Sequence, residues 1–187
     1  MEKHKNTQTL VIAVLAFAIL FMSVGFAAYS SKLNINGTAT VKASKWSVHY
    51  VTNSYSESTG SNQATSHSIT NTDFTFAVTL DKPGDFYEAT VNVINDGTFD
   101  AKLTALTMST LDAAQAKYLT YTVTYDGTSY TASQTGLTNL LPYATGSNTK
   151  AVKVRLEYVQ PENSADLPQD DPVDVTLTAS LDYSQVE

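Results

Sequence analysis

The stretch LDKPGDFYEATVNVINDGTFDAKLTAL, residues 80–106, decides the fold. Asp81-Lys82-Pro83-Gly84 reads as a turn, because proline presets φ and glycine accepts φ > 0. Tyr87, Ala89, Val91 and Val93 then alternate with polar residues, which predicts the inward face of a half-buried strand. Asn95-Asp96-Gly97 predicts a tight hairpin. Phe99 to Ala105 alternates again, and the period slips at Ala105-Leu106, as at a β-bulge. Two strands joined by a turn, with no helix between them, form an antiparallel pattern.

The same rhythm recurs on both sides. Upstream, Ser31 to Lys42 alternates, with Leu33, Ile35, Gly37, Ala39 and Val41 on one face; Trp46, Val48 and Tyr50 follow in the same style. Phe74 to Leu80 reads as a strand. Downstream come Leu119, Tyr121, Val123 and Tyr125, turned at Asp126-Gly127 towards Tyr130, and then Val152, Val154, Leu156 and Tyr158. Val173, Val175, Leu177, Ala179, Leu181 and Tyr183 predict the closing strand. Residues 53–71 and Gln160–Pro172 are polar enough to predict loops. Leu111 to Tyr118 is the one short helix expected after the N-terminal segment. Eight or nine strands without a βαβ rhythm predict an all-β fold, an antiparallel jelly roll or β-sandwich.

The N-terminus has a different composition. Lys3 and Lys5 precede the apolar run LVIAVLAFAILFM, Leu10 to Met22, and small residues follow it. A basic start, a short apolar run and a small-residue site are the parts of a secretory signal peptide. Gly25 and Ala27 fit the −3 and −1 positions of a signal peptidase, so the cut is expected between Ala27 and Ala28; the second choice is after Ser30. The competing reading is an uncleaved anchor, since the stretch through Tyr29 reaches about 20 residues, the length of a spanning helix. The expected organisation is a signal peptide over 1–27, a donor or first strand over 28–42, and a β-domain over 43–187.

A length of 187 residues predicts one such domain, and 42% hydrophobic residues suffice for its core. The 11 tyrosines and 7 phenylalanines suit pleated, half-buried surfaces. A net charge of −7 argues against nucleic-acid and anionic-lipid binding, which leaves the N-terminal segment as the expected membrane contact. With no cysteine, disulfides, thiolate metal sites and thiol catalysis are excluded.

Catalytic signatures are sparse. His4, His49 and His67 are the only histidines, and they make no HExxH helix. G-x-S-x-G and Gly-rich phosphate loops are missing too, so no catalytic residue and no cofactor are expected. Glu162, Asp166, Asp170 and Asp171 gather carboxylates in one stretch, an oxygen-rich set that calcium accepts, but EF-hand spacing and its turn glycine are lacking. A solvated acidic loop is the alternative. Leu141-Pro142-Tyr143-Ala144-Thr145-Gly146 has one residue too many for the wall-sorting pattern LPxTG, and no apolar tail follows, so it reads as a turn.

Three separated stretches resemble the TasA/camelysin family of exported bacterial fibre and surface proteins. They are the junction GFAAYSSKLNINGTATV, the K-P-G-D turn followed by N-D-G, and the closing VDVTLTASLDYSQ. The resemblance covers about half the chain; Thr110 to Gln160 shows no family motif. It implies a non-catalytic secreted jelly-roll protein, outside the cell at the surface or in the biofilm matrix of a Gram-positive bacterium. It further implies a homopolymer in which the strand freed by leader cleavage completes the sheet of the next subunit. Leu33, Ile35, Gly37, Ala39 and Val41 would then face the acceptor, the main chain supplying affinity. Two alternatives stand beside this. Residues 31–42 are the first strand of their own sheet in a monomeric or membrane-anchored adhesin, or the chain is a metal-dependent protease, as some camelysin relatives are described.

Overall fold

The computed structural model describes residues 2–28, 38–168 and 175–186. The chain divides into two units, Met1–Lys42 and Ala43–Glu187.

The first unit carries helix α1, Glu2–Ala28. It is free of proline and rich in Ala and Leu, which suits a helix. Its apolar side chains from Leu10 to Phe21 are exposed around the whole helix, Phe21 at 75%. Among the described residues, no helix is long and apolar enough to cross a membrane. Only the end of the stretch expected as a strand over 31–42 is described. Thr38–Lys42 form no strand and are exposed, Val41 at 91%. Alternation gives a face to bury, but a strand also needs a paired neighbour, and none of the described residues supplies one. Leu33, Ile35 and Gly37 lie outside the described residues.

The second unit is all-β, with antiparallel sheets. Its strands are β1 (Val48–Tyr50), β2 (Ser56–Glu57), β3 (Ser66–Ile69), β4 (Phe74–Ala77), β5 (Phe86–Asn95) and β6 (Ala101–Met108). They continue as β7 (Leu119–Tyr125), β8 (Thr128–Tyr130), β9 (Gln134–Leu141), β10 (Thr149–Tyr158) and β11 (Ala179–Gln185). One sheet has the order β1-β5-β10-β7-β8, with β2 also on β5; a second has β11-β6-β9; β3 and β4 form a ribbon. Tyr87, Ala89, Val91 and Val93 of β5 are buried as the alternation predicts, as are Val123 and Tyr125 of β7 and Val152 and Val154 of β10. They meet Leu103 and Leu106 of β6 and Leu141 of β9 in one hydrophobic core. Each large apolar side chain buried there contributes roughly 1.5–3 kcal/mol.

The K-P-G-D turn forms as expected. Asp85 N–H donates to the Lys82 carbonyl at 3.0 Å, and Gly84 takes φ 98°. Gly84 N–H also donates to the Tyr158 carbonyl at 2.7 Å, which pins the turn to the end of β10. Asp126 (φ 47°) and Gly127 (φ 83°) make the two-residue hairpin between β7 and β8.

The N-D-G sequence is not a hairpin. β5 pairs with β1, β2 and β10, whereas β6 pairs with β9 and β11, so the chain changes sheets there. Asn95 is fully buried at this corner. Its Oδ1 accepts from Gly97 N–H at 3.0 Å, and its Nδ2 donates to the carbonyls of Phe99 (2.9 Å) and Leu141 (3.0 Å). A β-carbon at Gly97 would lie 2.8 Å from the Lys45 carbonyl oxygen, so only glycine fits.

Five other expectations change. The helix over 111–118 shrinks to a 3₁₀ turn, Gln115–Lys117. Asp112 Oδ1 caps it at Ala114 and Gln115, but Tyr118 and Leu119 are drawn into the core as β7 begins. The loop 53–71 contains β2 and β3, because its serines bond across to β5: Ser54 Oγ accepts from Asn92 N–H, and Ser61 Oγ accepts from Glu88 N–H, both at 2.8 Å. The strand expected to reach Leu80 ends at Ala77. The closing strand begins at Ala179, since residues 175–178 form no strand; Val173 lies outside the described residues. The slip expected at Ala105-Leu106 falls at Thr104, where register shifts against both β9 and β11.

Candidate functional site

Among the described residues, β4 pairs only with β3, and β11 pairs only with β6. Each therefore leaves one main-chain edge open. Both open strands line one cavity of about 600 Å³. β4 contributes Phe74 and Phe76, the segment entering β11 contributes Leu177, and β11 itself contributes Leu181 and Tyr183. Its floor is the inward face of the large sheet: Val93, Val123, Val152 and Val154. The mouth is polar, with His49, Asp73 and Thr176. An apolar trough between two strand edges that are unpaired among the described residues is the shape that one further strand fills.

Tyrosines dominate the electrostatics of the trough. Burial pushes the Tyr121 phenol up to about 12, and burial also raises Tyr50, with nearby Asp73 adding to it. Burial raises Tyr183 and Tyr125 as well. All four are neutral donors near pH 7. The rings of Tyr125 and Tyr183 lie 6.3 Å apart, and their buried hydroxyls have no hydrogen-bond partner among the described residues. An unpaired buried hydroxyl costs about 1–3 kcal/mol.

The other sequence-derived candidates are scattered. Gly25, Ala27 and Ala28 all lie in the last turn of α1. Ala39 and Val41 lie exposed outside any strand. Of the four carboxylates considered for calcium, Glu162 is exposed, and Asp166 accepts from Lys117 Nζ at 2.7 Å; Asp170 and Asp171 lie outside the described residues. His49 Nε2 is 3.8 Å from Asp96, while His67 stacks on Tyr55 at 3.8 Å between ring centres. Among the described residues, no three His, Cys, Asp or Glu side chains gather as metal ligands do. β9 ends at fully buried Leu141, and the chain turns through Pro142 to Gly146, where Tyr143 N–H donates to Asp100 Oδ1 at 3.0 Å.

No protein-family model matches the chain, and no curated protein matches it.

Sequence reasoning placed Leu177, Leu181 and Tyr183 in the closing strand but missed that one edge of β11 is unpaired among the described residues. It also missed the sheet-changing role of Asn95. The signal for the first lies in topology, which pairs β6 with β9 and β11 and leaves β4 with β3 alone.

Proposed function

We propose that this chain is a non-catalytic, secreted structural protein that polymerises by strand addition. A second copy's N-terminal strand would fill the trough between β4 and β11. The observation that carries this reading is the pair of open strand edges on one apolar cavity. A strand inserted there would join the β3–β4 ribbon to β11-β6-β9 as one six-stranded sheet, a jelly-roll sandwich facing the larger sheet. The segment offered is apolar at alternate positions, and its described part, including Val41, is exposed and unpaired. Leu33, Ile35 and Val41 would each gain roughly 1.5–3 kcal/mol on full burial. The likeness to TasA/camelysin proteins at the leader junction, at K-P-G-D…N-D-G and in the closing strand supports the same reading.

On this view signal peptidase cuts after Ala27 and frees the strand. Each subunit gives one strand and accepts another, a head-to-tail contact that does not close and so builds a filament. Electron microscopy of the exported chain beginning at Ala28 is expected to show filaments. The same chain lacking residues 28–42 is expected to remain monomeric; if it still assembles, the reading fails.

A second reading rests on α1. Its apolar side chains are exposed around the whole helix, a surface that suits lipid or a translocation channel. Retained, it would tether a surface adhesin. N-terminal sequencing of the exported protein separates the two: an intact Met1 supports the tether, and a free Ala28 or Ser31 supports the filament.

A further inference from the structure

Tyr183 is the bulkiest side chain that β11 turns into the trough. Its aim is set locally. The register of β11 against β6 shifts between Asp182 and Tyr183, opposite the bulge at Thr104. Thr104 Oγ1 donates to the Asp182 carbonyl at 3.0 Å and holds that bulge. Bulges recur where a side chain must be re-aimed. The result is a buried phenol over Tyr125 whose hydroxyl has no partner among the described residues.

A strand lying along the open edge of β11 must pass this ring. Added as a strand, the N-terminal segment would turn Leu33, Ile35, Gly37, Ala39 and Val41 to one face, with its one bare position at the centre. An aromatic ring beside a cross-strand glycine covers the exposed backbone and meets no opposing side chain. Any other residue of the set would crowd the phenol, and overpacking of a closed core destabilises it.

We propose that Tyr183 sets the register of assembly, by receiving Gly37 of a second copy directly beside it on the neighbouring strand. Glycine in this strand then serves as the index mark that stops it sliding by two residues. This assignment rests on the strand-addition reading above, and its test separates the two.

The chain has no cysteine, so introduced pairs can be read without background. Gly37→Cys with Tyr183→Cys is placed in the full chain, exported and processed, then oxidised and run on a non-reducing gel. Neighbouring strands put directly opposed α-carbons within disulfide reach. A ladder of multimers is expected from this pair, and none from Ile35→Cys or Ala39→Cys with Tyr183→Cys. A ladder from either of those pairs instead overturns the register and leaves strand addition standing. A cross-linked monomer shows that the strand occupies its own trough and overturns both. Because cysteine at Tyr183 removes bulk from the core, a size exchange provides a second measurement. Gly37→Tyr alone is expected to abolish filaments, and adding Tyr183→Gly to restore them. Failure of that restoration, with the double variant folded by circular dichroism, overturns the register. Filaments persisting in the chain lacking residues 28–42 overturn strand addition itself.

Discussion

Asn95 Nδ2 donates to the Leu141 carbonyl at 3.0 Å, tying the end of β5 in one sheet to the end of β9 in the other. The same amide group holds Phe99 and Gly97, so one buried side chain defines the corner where the chain changes sheets. Asn95→Ala removes all three bonds and leaves the Leu141 and Phe99 carbonyls with their side-chain donor gone. The expected loss is about 2–4 kcal/mol, from unsatisfied groups that cost roughly 1–3 kcal/mol each. Urea denaturation followed by circular dichroism measures it, and a loss below about 1 kcal/mol would be too small for this role.

Gly97 belongs to the same corner for a steric reason. Its α-hydrogen faces the Lys45 carbonyl and Asn95 Oδ1, where a β-carbon would come within 2.8 and 2.9 Å. Gly97→Ala should therefore lower stability by about 1–3 kcal/mol, the usual range for overpacking. A melting temperature equal to that of the parent would show that the corner opens freely.

Glu88 gives the large sheet an acid-sensitive cluster. Ser58 Oγ donates to its carboxylate, and Lys153 Nζ and Arg155 Nη1 each lie 3.2 Å away. The Ser58 bond and these cations hold the carboxyl below its ordinary value. Glu57 is lowered in the same way, first by the Tyr55 hydroxyl and then by Ala64 N–H. A group lowered by folding stabilises the fold above its unfolded value, about 4.3 for glutamate, and that stability is lost as pH falls through the folded value. Urea midpoints measured from pH 7 to pH 3 should drop below pH of about 4.3. Glu88→Gln should lower the midpoint at pH 7 and flatten the acid drop; an unchanged slope would remove Glu88 from the account.

A free strand should stabilise the trough without polymerising. A synthetic peptide of residues 28–42 is expected to raise the melting temperature of the 43–187 domain. Binding to the folded state alone adds about 2.7 kcal/mol at a hundredfold excess over Kd. A scrambled peptide of equal composition is the control, and equal shifts from both would count against a specific acceptor.

The strands with a paired neighbour on each side were legible in the sequence. β5, β7 and β10 each alternate cleanly because one face of each is sealed in the core. Two edge strands were not: β9 and β3 are mostly exposed, so their sequences carry little apolar alternation. Asn95-Asp96-Gly97 was read as a hairpin because local turn chemistry is the same whether the next strand pairs or departs. That choice is made at a distance, where β1 and β10 occupy both edges of β5. Leu111 to Tyr118 has helix-forming residues, but a segment this short is marginal without packing, and the core takes Tyr118 and Leu119 instead. The trough could not be read at all, since an open edge is a property of the whole sheet order.

The position of β10 has a consequence for how the chain is made. It lies between β5 and β7, both of which precede it in sequence, and the K-P-G-D turn is pinned to its last residue. A nascent chain therefore carries two bare sheet edges until Thr149 to Tyr158 emerge, and pairings so distant along the chain close slowly. The domain cannot set during synthesis. It stays open until nearly all of it has been made, and any product truncated before Tyr158 exposes sticky edges to aggregation.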